Sequence, residues 1–125
     1  MSEEELIKII IEEAIYIHKS LGAGLLEHVY KTCLAHRLTK RGFFVETEKP
    51  VPVYFEEIKM DCGYRADIVV ERSVIIDTKS IEAIGPLQIS QLLTYLQFLN
   101  LRYGIILNFN VVLMKHGIRR VLHGF

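Results

Sequence analysis

Apolar residues recur at helical spacing at the start of the chain. Leu6, Ile9, Ile10, Ala14, Ile17 and Leu21 fall on one side of a 3.6-residue period. Ser2-Glu3-Glu4-Glu5 before them is a capping-box pattern, so the spacing predicts a helix running to about Leu21. Gly22-Ala23-Gly24 breaks it. A second helical run follows, with Leu26, Val29, Tyr30, Cys33, Leu34 and Leu38 facing inward and Gly42 placed to end it. The period then shortens to two. Phe43–Thr47 and Val51–Phe55 are β-rich, and Pro50 and Pro52 point to an edge or a bulge. Ile58–Tyr64, Ala66–Val70 and Val74–Thr78 read as further short strands between polar turns. Gly85-Pro86 opens a third helix with Ile89, Leu92, Leu93, Leu96 and Leu99 on its core face. Tyr103–Phe109 and Ile118–Leu122 read as the last strands. The order helix, helix, strands, helix, strands predicts an α/β fold, a mixed sheet with helices packed on it.

Length and composition narrow this further. The 125 residues carry no repeat, low-complexity tract or linker, so residues 1–125 are expected to form a single domain. Half of them are apolar, enough for a core without metal or disulfide staples. Cys33 and Cys62 match no metal spacing and read as reduced thiols of a cytoplasmic protein. The acidic N-terminus is unlike a signal peptide. Ala83–Leu101 has no formal charge, yet its glutamines, Ser90, Thr94 and Asn100 are costly in lipid, so it reads as a buried soluble helix and not a membrane span. Fifteen basic and fifteen acidic residues cancel. That excludes a long basic footprint on phosphates, leaves local patches, and makes a homo-oligomer plausible.

The candidate chemistry lies where charge meets apolar strands. Asp67 precedes Ile68-Val69-Val70, and Asp77 and Lys79 close the run Val74-Ile75-Ile76. Such charges are expensive unless paired or bound to a metal. Asp77 and Lys79, two residues apart, share a face of their strand. A three-residue connection, Glu71-Arg72-Ser73, would set Asp67 opposite Asp77; a two-residue turn would put Asp67 on the other face. In the first case two carboxylates and one ammonium converge. Oxygen donors of this kind suit Mg²⁺ or Mn²⁺.

Asp67 followed ten positions later by Asp77-Thr78-Lys79 resembles the core motif of the PD-(D/E)xK nuclease superfamily. Gln91-Leu92-Leu93-Thr94-Tyr95 resembles the Q-x-x-x-Y motif of its RecB-like branch. Gly24-Leu25-Leu26-Glu27-His28-Val29-Tyr30 is similar to the signature of the small GxxExxY proteins of that superfamily. Tyr64-Arg65-Ala66-Asp67 and Leu107-Asn108-Phe109 extend the likeness across nearly the whole chain. The resemblance implies a restriction-endonuclease-like mixed sheet and a metal-dependent nuclease acting on DNA or RNA. It implies that Asp67, Asp77, the Thr78 carbonyl and Glu27 hold Mg²⁺ or Mn²⁺. It further implies that Lys79 assists the attacking water, and that Gln91 and Tyr95 position substrate or the lysine.

Other readings stand beside this one. Asp67 and Asp77 could be strand-end carboxylates satisfied by Arg65 and Lys79, and Gln91 and Tyr95 ordinary residues of a helix surface. Lys31, Arg37, Lys40 and Arg41 on the second helix, and Lys115, Arg119 and Arg120 near the C-terminus, are solvated faces unless they flank the acidic site. His28 reads as surface, and no histidine spacing suggests zinc. Asp77 stands where the small family usually carries Glu. That departure, with the absence of net positive charge, motivates the alternative of an inactive nuclease-fold module for nucleic-acid binding, protein interaction or dimerisation.

Overall fold

The computed structural model describes residues 1–124. Helix α1 spans Glu3–Leu21, and the Ser2 hydroxyl caps it by accepting the Glu5 N–H at 3.2 Å. It buries Leu6, Ile7, Ile10, Ala14 and Ile17, so the inward face is turned slightly toward Ile7 and away from Ile9. Leu21, expected inside, is exposed at the helix end, where Gly22 at φ 75 stops the helix. Helix α2 spans Glu27–Lys40 and buries the stripe Tyr30, Leu34, Leu38, one residue per turn. Leu26 corrects the sequence reading: it is the N-cap residue, still in extended conformation, and 78% exposed. Gly42 at φ 94 lies just past the helix end, as expected.

Seven strands follow the two helices or flank the third: β1 Val45–Pro50, β2 Val53–Phe55, β3 Ile58–Met60, β4 Arg65–Val70, β5 Val74–Lys79, β6 Tyr103–Asn108 and β7 Ile118–Leu122. Strand β1 starts later than Phe43, because the Phe44 N–H is taken by the Glu71 carboxylate at 2.8 Å and not by a neighbouring strand. Pro50 ends this edge strand, where a missing N–H costs no ladder bond. Helix α3, Pro86–Leu99, connects β5 to β6, which run parallel; the other neighbours in the order β1-β4-β5-β6-β7 are antiparallel. Strands β2 and β3 form a separate hairpin with no buried residue.

The sheet separates two cores. On one side Ile68, Val70, Val74, Ile76, Ile105 and Leu107 meet α1 and α2; on the other Val69, Ile75 and Ile106 meet Leu92 and Leu96 of α3. Each fully buried Leu or Ile contributes about 1.5–3 kcal/mol, and having both faces covered explains the uninterrupted apolar runs of β4 and β5. Helix α3 is less enclosed than its uncharged sequence suggests. Only Leu92 and Leu96 are fully buried, and Leu87 is 77% exposed. No helix among the described residues is long and apolar enough to cross a membrane. Both cysteines are free.

Candidate active site

The local fold brings Asp67 and Asp77 together through the connection between β4 and β5. Val70 pairs with Val74, Val69 with Ile75 and Ile68 with Ile76, leaving Glu71-Arg72-Ser73 unpaired. This is the odd-length loop that sets Asp67 against Asp77. Glu71 and Arg72 take left-handed φ of 53° and 52°, unusual for residues other than Gly or Asn. Phe44 supports them: its carbonyl accepts the Glu71 N–H at 2.8 Å, and its ring lies 5.0 Å from the Arg72 guanidinium carbon.

Beyond Ile68–Ile76 the two strands part. Strand β4 stays paired with β1 as far as Arg65–Pro50, and β5 stays with β6 as far as Lys79–Asn108. The Asp67 carboxylate enters the gap, its Oδ2 accepting the Thr78 N–H at 2.9 Å and the Thr78 hydroxyl at 3.1 Å. N–H and C=O of one strand residue point the same way, so the Thr78 carbonyl also faces this gap. The pair missing from the β1–β4 register is Glu48–Asp67, where Glu48 sits at φ 52 and is ion-paired with Lys31 of α2. Backbone regularity thus fails on both sides of Asp67, a pattern associated with functional sites.

The site's electrostatics follow from burial. Lys79 Nζ lies 3.2 Å from Asp77 Oδ1, with side-chain exposures of 20% and 13%. Burial raises the Asp77 carboxyl to about 7; Lys79 opposes the rise, while Asp67 adds to it by charge and hydrogen bonding. Burial also works against the Lys79 ammonium, but Asp77, Glu27 and Asp67 outweigh it and lift the lysine above its ordinary value. Lys79 is therefore a firmly protonated donor.

Glu27 is the first residue of α2, and its Oε1 lies 4.0 Å from Lys79 Nζ. Burial raises its carboxyl despite the pull of Lys79. The preceding loop is tied in place by Tyr30, whose hydroxyl donates to the Gly22 carbonyl at 2.6 Å and accepts the Leu25 N–H at 3.1 Å. The Tyr30 ring stacks on Phe109 with centroids 4.4 Å apart, and Ser80, next to Lys79, donates to the Leu25 carbonyl at 2.8 Å. The Gly24–Tyr30 motif therefore works as an anchor for Glu27, with Tyr30 on the structural side of it.

Tyr95 and Gln91 lie on α3, which covers the sheet face carrying Val69 and Ile75. Strand alternation puts Asp67 and Asp77 on that same face. Burial and then the charge of Asp77 raise the Tyr95 phenol. Gln91 is exposed one turn away and lines a groove with Tyr95 and Tyr64.

Asn108 was named in the sequence only as part of a likeness, and here it has a defined task. Buried at the end of β6, its amide accepts from Ile81 N–H at 3.1 Å and donates to Ile81 C=O at 3.0 Å. This fixes the chain just after Lys79. A Cβ at Gly117 would run into the Asn108 carbonyl, so that backbone approach requires glycine. The signal available in the sequence was a polar residue closing the apolar strand Tyr103–Leu107. The basic residues on α2 mostly serve the fold: Lys31 pairs with Glu48, Arg37 with Glu13 at 3.0 Å and Arg41 with Glu12 at 3.9 Å.

A mixed α/β sheet thus carries an acidic pair and an ammonium at a split between two of its strands. The family model of the PD-(D/E)XK nuclease superfamily matches residues 4–121, and the chain belongs to that superfamily. No curated protein and no solved structure matches it.

The donor set fits a hard divalent cation. Two carboxylates and a carbonyl face one gap, and the acidic groups around it exceed the single ammonium in charge. Among the described residues no three His, Cys, Asp or Glu side chains form a ligating cluster, and Glu27 points to Lys79. The donors in the gap are oxygens, unlike the His and Cys ligands of a closed zinc centre.

Proposed function

We propose that the protein is a metal-dependent nuclease that hydrolyses phosphodiester bonds in DNA or RNA. The observation that carries this is the meeting of Asp67, Asp77 and protonated Lys79 at the strand split of a superfamily member. Asp67, Asp77 and the Thr78 carbonyl would hold Mg²⁺ or Mn²⁺, with Glu27 joining if its side chain turns from Lys79. Bound there, the cation would supply Lewis acidity and a more acidic water.

The chain's own residues do the rest. Thr78 fixes the Asp67 carboxylate through two hydrogen bonds, leaving its second oxygen free of that duty. Lys79 donates to the attacking water or to a non-bridging phosphate oxygen and offsets charge as the phosphorus–oxygen bond to the leaving group breaks; the water gives its proton to solvent, and the leaving oxygen takes one from solvent. Glu27 holds the lysine from the far side. Tyr95 closes the site under α3 and presents its hydroxyl toward the substrate. The Asp77 carboxyl holds a proton until near neutral pH, so cation uptake displaces a proton and tightens as pH rises through about 7.

The test is calorimetric titration with Mg²⁺ and Mn²⁺, wild type beside Asp77→Ala, followed by cleavage assays on single- and double-stranded DNA and RNA. Cation binding and cutting should both vanish in Asp77→Ala. Lys79→Ala should keep the cation but cut roughly 10²–10⁴-fold more slowly. A wild type that takes no cation with nucleic acid present would refute the catalytic reading and leave a nuclease-fold binding module.

A further inference from the structure

Beside the carboxylates lies a groove of about 430 Å³ that the catalytic reading touches only at Tyr95. Its size is within the range of small-ligand sites. Val53, Tyr64 and Phe98 supply apolar walls, and Ser90 and Gln91 of α3 supply the polar rim. Tyr95 belongs to both places: it lines the groove, and its hydroxyl senses Asp77 and Asp67. The Tyr64 and Tyr95 rings meet in a tilted contact, centroids 6.1 Å apart at 52°, so each braces the other without face-to-face stacking where they line the groove. Tyr64 is 45% exposed, and its backbone is fixed because its carbonyl accepts the Val51 N–H at 2.9 Å. Among the described residues the Gln91 amide has no hydrogen-bond partner, so its donors and acceptor are open to a ligand.

We propose that this groove receives an unstacked nucleobase of a single-stranded nucleic acid, next to the phosphate at the carboxylates. The inference rests on the site taking nucleic acid, as proposed above. A nucleobase matches the groove's chemistry: a flat π face for Tyr64, and edge donors and acceptors for Gln91 and Ser90. Charge points the same way. The chain has no net charge, and Lys31, Arg37, Arg41 and Arg120 are engaged by Glu48, Glu13, Glu12 and Glu4. Gripping a duplex rests on many phosphate contacts, and this chain carries no excess of positive charge to supply them. A base held in a duplex stack also cannot enter a concave slot. A single strand can bind here through stacking in place of charge.

The experiment measures fluorescence anisotropy of labelled oligonucleotides in EDTA, so that the strand stays whole. The probes are a short thymidylate strand, the matching uridylate strand, a duplex of equal length, and an abasic strand with the same phosphates. At least one of the two base-bearing strands should bind about tenfold more tightly than the duplex and the abasic strand. Tyr64→Ala should erase that gap without altering abasic binding, and Tyr64→Phe should keep it. Ser90→Trp, which fills the slot from an exposed helix position, should erase it too. Equal affinity for abasic and base-bearing strands overturns the proposal, as does a gap unchanged in both Tyr64→Ala and Ser90→Trp. Cutting that depends on Asp77 but not on bases would sink the groove and leave the nuclease standing. Base-dependent binding without any cutting would do the reverse.

Discussion

At the residue scale the Asp77 carboxyl is the group whose environment has the largest consequence. Its folded value of about 7 lies above the ordinary 3.8. The folded state therefore disfavours ionised Asp77, and metal-free stability is lost as pH rises from about 4 to 7, with the full penalty present above that. Asp77→Asn should melt higher than wild type at pH 8 by on the order of 1–2 kcal/mol, and by almost nothing at pH 4. Thermal unfolding in EDTA at pH 4, 6 and 8 measures this; a pH-independent difference between the two proteins would refute the assignment. Asp67, Asp77 and Lys79 were legible in the sequence because charges bordering wholly apolar strands are anomalous. Glu13 and His18 were not, although both are buried. Their partners, Arg37 and the Val111 carbonyl, lie far along the chain, and no local period announces such a pairing.

At the scale of elements, the loop before α2 depends on one hydroxyl. Tyr30→Phe keeps the ring on Phe109 and removes the bonds to Gly22 and Leu25. It should cost about 1 kcal/mol in denaturant unfolding. It should also slow cutting several-fold, because Glu27 and the Ser80–Leu25 link lose their fixed position. Unaltered cutting at unaltered stability would show that the loop holds itself. The β4–β5 pairing was narrowed in advance to two parities, and the structure takes the three-residue one. The loop before α2 was not. Helical spacing placed Leu26 inside, but spacing cannot tell that the chain has yet to enter the helix there. The β2–β3 hairpin shows the same limit, for its apolar residues satisfy β preference without any core to cover them.

For the whole molecule, balanced charge sets how it can hold a polyanion. With its fifteen cations matched by fifteen acidic residues and seven of them ion-paired, the protein should displace few counterions on binding. The logarithm of single-strand affinity against the logarithm of salt should have a slope of roughly −2, the value for two or three phosphates. Titrations between 50 and 200 mM NaCl would measure it, and a slope steeper than about −6 would mean that a basic surface forms only in the complex.

The Glu71–Ser73 connection carries a constraint on how this chain can change in length. A deletion of one residue there would exchange the faces of β4 relative to β5, sending Asp67 toward the α1–α2 core and bringing Ile68 to the solvent-facing gap. Insertions at the exposed Glu56–Glu57 tip of the β2–β3 hairpin would displace no buried side chain. Drift in length is open at one turn and closed at the other, though both join neighbouring antiparallel strands.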